Sequence, residues 1–382
     1  MRDAAVKAGW IDERGVPNGT YVIVERLPHL SRIQIELAVK CNFACVYCYS
    51  ESGPTRSDAL DVPEVRRLLT EANELGVVAV DFTGGEVLIY KGWQDVILHA
   101  RSLGMVVSVH TNGLLLTERN VDFLRRAGVR SLQVTVESHH ADVHESVGRG
   151  TRVSHTRVIE GVRRAKEAGL NIRLAALVHR KNIDHIGESA RWFYREFKTP
   201  ISLDRVIATG VPGASSLAVS ESEFWEAVAP LLGIGAASAD RICDTSAPTA
   251  HGAIEPECGV AHSFVYITAD GYISLCPTMT HREDGRFSGP NLRETTLERA
   301  WYESELFTLY RGINCENTSV CPAAAACGGG CRSNAYTTTG RLTAPDVISC
   351  NTFKNPDRTF VDFLGRYADG EFLPISSRDA TL

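Results

Sequence analysis

No run of about 18 apolar residues occurs in the 382-residue chain, so the sequence offers no helix able to cross a membrane. The opening stretch, MRDAAVKAGWIDERG, lacks the apolar core of a secretory signal, and a cytoplasmic location is expected. Clustered Lys/Arg runs are missing and the net charge is −6, which removes the electrostatic footprint of a nucleic-acid binder. What the chain has in abundance is cysteine. Three of its eleven cysteines lie at 41–48 and the other eight between 243 and 350. An odd count at tight spacing, in a compartment that keeps thiols reduced, points to metal or redox chemistry rather than disulfides. Buried structural thiols are the plainer alternative.

From residue 31 to 208, short β-branched runs alternate with helical patterns. RIQIELA (32–38) reads as a strand running into the first cysteine. DVPEVRRLLTEANELG (61–76) reads as a helix: Asp61 is the N-cap with Glu64 three residues on, Pro63 sits in the first turn, and Gly76 closes it. VVAVDFT (77–83) is expected to be a strand buried on both faces. Trp93, Val96, Ile97, Ala100 and Leu103 mark the next helix. Strands at 105–110, 131–137, 172–179 and 201–208 then alternate with helices capped at Thr117, around 155–168 and around 184–197. Six strands separated by helices predict a parallel α/β sheet with right-handed crossovers. Six βα units fall short of a closed eightfold barrel, so a partial (βα)6 TIM-like barrel is expected, with ligands at the C-terminal strand ends.

Residues 209–240 change character and read as a bridge around one short helix, capped by Ser220 with Glu223. Beyond it the alternation stops. SFVYITADGYISLC (263–276) is predicted to be a hairpin on a type I′ turn at Asp270-Gly271. The loop-rich remainder cannot bury much apolar surface, and bound metal clusters would hold it together. The expected divisions are an N-terminal extension (1–30), a barrel (31–208), the bridge (209–240), a cysteine-rich unit (241–355) and a tail (356–382).

CNFACVYCYS (41–50) places Cys41, Cys45 and Cys48 in the loop after the first strand. Zinc sites ordinarily take four ligands, whereas C-x3-C-x2-C offers three thiolates and leaves one iron of a [4Fe–4S] cluster open. The loop resembles that of the radical S-adenosylmethionine (SAM) enzymes, with Tyr47 in the aromatic position of the motif. FTGGEV (82–87), at the end of the second strand, resembles the family's GGE turn, in which Gly84 and Gly85 bring backbone carbonyls to the SAM amino group and Glu86 adds charge. Val87 replaces the family's usual proline. VTVES (134–138) resembles the family's SxDG segment more loosely: Thr135 stands for the serine, Glu137 for the aspartate, and Arg149 for the arginine that contacts SAM. The resemblance implies reductive cleavage of SAM to a 5′-deoxyadenosyl radical, which takes a hydrogen atom from the substrate. It also implies an electron donor such as flavodoxin or ferredoxin.

The C-terminal cysteines resemble the SPASM extension of this family, apart from a C-x2-C step lengthened to C-x5-C between Cys315 and Cys321. The resemblance assigns Cys315, Cys321, Cys327 and Cys350 to one auxiliary [4Fe–4S] cluster. Cys258, Cys276 and Cys331 go to the other, with Cys243 as its fourth ligand or, alternatively, as a hydrogen-atom donor. Three clusters in all are implied, with zinc as the rival reading of this region. SPASM enzymes mostly modify peptides, so the expected substrate is a ribosomally made precursor peptide undergoing a crosslink or other oxidative change. A sugar, aminocyclitol or other small molecule is the alternative, and a non-catalytic metal scaffold is a third. Cys276-Pro277-Thr278 lacks the acidic base that Cys/Ser oxidases of the family place there. Thirty N-terminal residues are too few for a winged-helix peptide-binding domain, although GTYVIVERL (19–27) reads as one edge strand. His139, His140 and His144, near the fourth strand, read as polar loop residues, with an acid or base role at a cleft as the alternative.

Overall fold

A computed structural model describes residues 28–206 apart from 200, 211–231 apart from 212, 229 and 230, and 258–350 apart from 281–284, 286, 322–323 and 347–348, together with strands at 365–368 and 371–374. The proposed edge strand at 19–27, the end of the bridge (232–240) and Cys243 lie outside the described residues.

The expected alternation is present. Strands β1 (Arg32–Glu36), β2 (Ala79–Thr83), β3 (Val106–Thr111), β4 (Ser131–Thr135), β5 (Ile172–Val178) and β6 (Ile201–Arg205) are all parallel, each paired with the next in sequence. Helices α1 (Val62–Glu74), α2 (Trp93–Ser102), α3 (Glu118–Arg126), α4 (Ala141–Ser146), α5 (Arg152–Glu167) and α6 (Ile186–Phe197) fill the crossovers. α1 begins with the predicted capping box: Glu64 N–H donates to Asp61 and Asp61 N–H donates to the Glu64 carboxylate. Its buried face is Val65, Leu68, Leu69 and Ala72. At about 1.5–3 kcal/mol for each fully buried Val or Leu, this stripe outweighs intrinsic propensity in holding the helix to the sheet. α4 forms at Ala141–Ser146, where the sequence pattern predicts no element.

β2 departs from expectation. It alternates rather than being buried on both faces: Val80 and Phe82 are fully buried, whereas Val78 just before it is 61% exposed and Asp81 is only half-buried. The face opposite the helices carries polar residues, with Gln34 Nε2 lying 3.4 Å from His110 Nδ1 and Arg32 3.9 Å from Asp81. A parallel sheet curled toward a barrel has one face that is not covered by helices, and here that face is polar.

The sheet also does not end at six strands. After α7 (Ala214–Leu217) and α8 (Glu221–Val228), the predicted hairpin forms from β7 (Phe264–Ile267) and β8 (Tyr272–Ser274), continued by β9 (Ser288–Asn291). β7 pairs parallel to β1, so the nine strands run in the order β6-β5-β4-β3-β2-β1-β7-β8-β9. The strand that leads into the first cysteines therefore lies inside the sheet. The hairpin turn is not type I′. Only Gly271 has positive φ (93°), and Gly271 N–H donates to Thr268 O at 2.9 Å, which is a type I turn ending on a left-handed glycine. Helices α9 (Leu297–Glu303) and α10 (Glu305–Arg311) bury Trp301 and Phe307, and the short α11 (Ala324–Cys327) and α12 (Arg332–Thr339) follow. Within the expected tail, β10 (Gly365–Ala368) and β11 (Glu371–Pro374) form an antiparallel pair. No described helix is long and apolar enough to cross a membrane.

Candidate active site

Cys41, Cys45 and Cys48 occupy one loop at the C-terminal end of β1, and backbone hydrogen bonds hold it on two sides. Cys41 N–H donates to Gly53 O, and Gly53 N–H donates to Val39 O, each at 3.1 Å. On the other side Ala44 N–H reaches Gly148 O at 3.0 Å and Val46 N–H reaches Val147 O at 3.1 Å, tying the cysteine loop to the segment that carries Arg149. A Cβ on Gly148, which has φ of 79°, would lie 2.2 Å from Ala44 O, so this contact requires glycine.

Two of the sulfurs receive backbone N–H groups: Phe43 N–H points at Cys41 Sγ (3.4 Å) and Ser52 N–H at Cys48 Sγ (3.3 Å). Burial, reinforced by Glu86 and Cys48, pushes the Cys41 thiol up to about 11. Burial pushes Cys45 up to about 12 despite the nearby Arg149 guanidinium. Thiolates so disfavoured by burial need a bound cation to form at neutral pH.

The GGE turn closes against this loop. Gly85 N–H donates to Ala38 O (2.7 Å) and Glu86 N–H to Lys40 O (3.1 Å). A Cβ on Gly84 would come within 2.4 Å of Ala38 O, and one on Gly85 within 2.2 Å of Lys40 O. The two glycines are thus what lets the turn pack on the strand end beside Cys41. Glu86 is buried with both carboxylate oxygens engaged. Leu88 N–H (2.9 Å) and Thr111 Oγ1 (2.7 Å) donate to one, and Asn112 N–H (2.8 Å) donates to the other. The Glu86 carboxylate fixes the ends of β2 and β3 to each other.

Tyr47, Glu137 and Arg149 come together in the interior. Tyr47 donates to Glu137 Oε1 at 2.5 Å, and Arg149 Nη1 lies 3.8 Å from the same oxygen. Arg149 also donates to Thr135 O (2.8 Å) and Asn112 O (3.3 Å) and lies over the Phe43 ring at 5.3 Å. Its Nε is buried with no hydrogen-bond partner among the described residues. Burial alone would raise the Glu137 pKa, but the His179 contact and the Arg149 charge outweigh it and hold the carboxyl below its usual range. Glu86 accepts hydrogen bonds from neutral donors, and burial raises it despite the more distant Arg149 charge.

Two residues here had no role in the sequence reading. Asn112 bridges Cys41 Sγ (3.7 Å) and Asn42 Oδ1 (2.6 Å). His179 is fully buried, 3.6 Å from Glu137 and stacked on Tyr47 at 5.8 Å. Each sits where its strand ends, in HTNG (110–113) and VHRKN (178–182), the position at which a parallel sheet presents ligands.

Two sets of C-terminal thiols lie close enough to act on one another's charge. Burial pushes Cys331 up to about 12, with Cys276, Asp346 and Cys258 adding negative charge. Cys276 is likewise pushed up to about 11 by burial, with Cys258 adding to it. Burial pushes Cys327 up to about 12, followed by the charges of Asp346, Cys315 and Cys321. Asp346 joins the groups: its carboxylate accepts from Cys331 N–H at 2.8 Å, and Cys350 N–H donates to its backbone carbonyl at 2.9 Å.

Residues 35–193 match the model of the radical SAM superfamily. The chain carries a radical SAM domain. Among curated proteins, the PqqA peptide cyclase of Streptomyces rochei is 29% identical over 357 residues, covering 88% of this chain and 93% of the relative. Among solved structures, Streptococcus suis SuiB bound to S-adenosylmethionine aligns with a TM-score of 0.66 at 16% identity, covering 91% of this chain and 80% of that one. SuiB bound to its precursor peptide SuiA aligns at 0.62 and 16%, covering 85% and 77%. At that identity the likeness to SuiB is one of fold. The chain is a radical SAM enzyme, and its family implies one [4Fe–4S] cluster and SAM.

Proposed function

We propose that this enzyme is a peptide maturase of the SPASM type, which takes a hydrogen atom from a precursor peptide and completes a crosslink or another oxidative change. The observation that carries the substrate class is the relationship to PqqA peptide cyclases along nearly the whole chain, cysteine-rich half included.

The residues fit the implied groups. Cys41, Cys45 and Cys48 supply three ligands to the first cluster, and the N–H groups of Phe43 and Ser52 tune its potential. Backbone groups of the Gly84-Gly85 turn, and the buried Arg149 Nε with no hydrogen-bond partner among the described residues, face the role of holding SAM. When bound, the cluster and SAM supply reductive cleavage of the sulfonium and the radical that abstracts hydrogen. Tyr47 and Glu137 act indirectly: their hydrogen bond fixes the Arg149 guanidinium, and the buried surroundings exclude water. Cys258, Cys276 and Cys331 hold one auxiliary cluster, with Cys243 as the proposed fourth ligand. Cys315, Cys321, Cys327 and Cys350 hold the other, and Asp346 braces both groups. The division into a barrel (31–208) and an auxiliary-cluster unit (241–355), and a flavodoxin- or ferredoxin-type donor, belong to the same proposal.

Anaerobic reconstitution should give about twelve irons per chain. With SAM and reductant, a short peptide encoded beside the gene should be converted to a product lighter by two hydrogen atoms, with 5′-deoxyadenosine formed alongside. Full iron content and SAM cleavage without any change in the peptide would overturn the peptide assignment.

A further inference from the structure

We propose that His139, His140 and Glu188 form a separate metal site, for one divalent transition ion of the zinc type, between the loop that follows β4 and the first turn of α6. Three observations converge on it. One donor atom from each of the three side chains lies within 4.8 Å of the others. His139 Nε2 and Glu188 Oε1 are already 3.5 Å apart, against the roughly 3.3 Å between neighbouring ligands of a tetrahedral ion with bonds near 2.05 Å. His140 and Glu188 are exposed, so small rotations about their side-chain bonds close the rest of the distance.

The second observation is how His139 is held. Its Nδ1 lies 2.9 Å from Ser189 Oγ, Ser189 Oγ lies 3.1 Å from Ser138 Oγ, and Ser138 Oγ accepts from His140 N–H at 3.0 Å. A cation between Nε2 and Glu188 replaces the proton the two would otherwise share and selects the tautomer in which Nδ1–H donates to Ser189 and Ser189 donates to Ser138. Nε2 then keeps its lone pair toward Glu188. Metal-ligating histidines are oriented in this manner, by the hydrogen bond of the other ring nitrogen. Trp192 stacks on the His139 ring at 5.8 Å and an interplanar angle of 22°, fixing it further.

Third, the imidazoles cluster beyond what a single ion pair would explain. The His139 and His140 rings are 3.8 Å apart, and His185 stands edge-on to His140 at 5.1 Å. The buried His185 Nε2 has no hydrogen-bond partner among the described residues. Two imidazoles and one carboxylate suit Zn2+, Co2+ or Ni2+ far better than Mg2+ or Ca2+, and three protein ligands leave a position for water or a further ligand. His139 lies two residues after Glu137, Glu188 lies in the first turn of α6, and Leu177 N–H in β5 donates to Glu137 Oε2 at 3.2 Å, so the ion would tie the end of β4 to the helix that follows β5.

The test uses cluster-loaded enzyme dialysed anaerobically against Zn2+, with iron and zinc counted together by mass spectrometry. Wild type is expected to retain about one zinc per chain at unchanged iron. His140→Ala and Glu188→Gln, both at exposed positions, are expected to lose it with iron still unchanged. Ser189→Ala is expected to weaken zinc binding about 10–100-fold, because it removes the orienting hydrogen bond. Excess Mg2+ is expected not to displace the zinc. Absence of bound zinc in the wild type, or equal zinc in the His140→Ala and Glu188→Gln variants, overturns the site. Equal affinity in Ser189→Ala overturns the orienting role assigned to the serine pair.

Discussion

Glu86 and Glu137 are both buried carboxylates near the same cysteines, and their surroundings move them in opposite directions. Neutral donors surround Glu86, whereas Glu137 has Arg149 and His179 beside it. Replacing Arg149 with Gln therefore strips Glu137 of its cation in a buried setting. The expected loss is about 3–5 kcal/mol, read from the urea midpoint. A surface arginine such as Arg299, paired with Glu303 on an exposed helix face, should give less than about 1 kcal/mol under the same substitution. His144 makes a pH prediction. Burial, followed by the charges of Arg149 and His155, pushes it down to about 3, and its ring packs edge-on against Phe43. The unfolded chain binds this proton near pH 6.5 while the folded chain does not. Its contribution is thus fully present above pH 6.5 and is lost as pH falls toward 3, at up to about 1.4 kcal/mol per unit. Urea midpoints of the metal-free protein should fall between pH 6.5 and 5.5, and His144→Leu should flatten that slope.

At the scale of elements, the barrel is legible in the sequence because its helices and strands each follow one strong period. Asp61 with Glu64, and Thr117, cap the helices that were read from them, and Val65, Leu68, Leu69 and Ala72 form the expected buried stripe. Sequence alone missed contacts made between distant segments. Asn112 and His179 look like ordinary polar residues at strand ends until the fold carries Asn112 to Cys41 and His179 to Glu137. The polar face of β2 was hidden for the same reason, since an apolar run does not say which side of the sheet the helices cover. The glycines of the GGE turn were found, but part of their purpose was not: they permit close packing on Ala38 and Lys40. Gly85→Ala should force that turn off the strand end and lower iron by about four per chain, the share of one cluster. Gly169→Ala makes a control. It also has positive φ (81°) but open space around it, so it should lose only about 1–2 kcal/mol and keep its iron.

Across the whole molecule, the halves that composition separates are joined by the sheet and by α1. β1 pairs with β2 on one edge and β7 on the other. Arg293 Nε donates to Glu64 Oε1 at 2.5 Å, Arg67 Nη2 to Leu292 O at 2.5 Å, and Leu297 N–H to Glu71 Oε2 at 2.8 Å. A chain cut after residue 240 would leave the β1 edge unpaired along Ile33 and Ile35. Such a fragment should appear in the insoluble fraction or as large assemblies on size-exclusion chromatography, and a soluble monomer of it would contradict this account. The same pairing bears on time. Ser31 Oγ meets Ser263 O across 232 positions of sequence. With ribosomes adding about 5–20 residues per second, β1 gains its second neighbour roughly 10–50 s after it leaves the ribosome. During that interval Cys41, Cys45 and Cys48 are carried by a strand with one open edge. The contacts of the cluster loop with Gly53, Gly148 and the Gly84-Gly85 turn all lie before residue 150, so what waits for β7 is the closing of the strand edge beneath that loop.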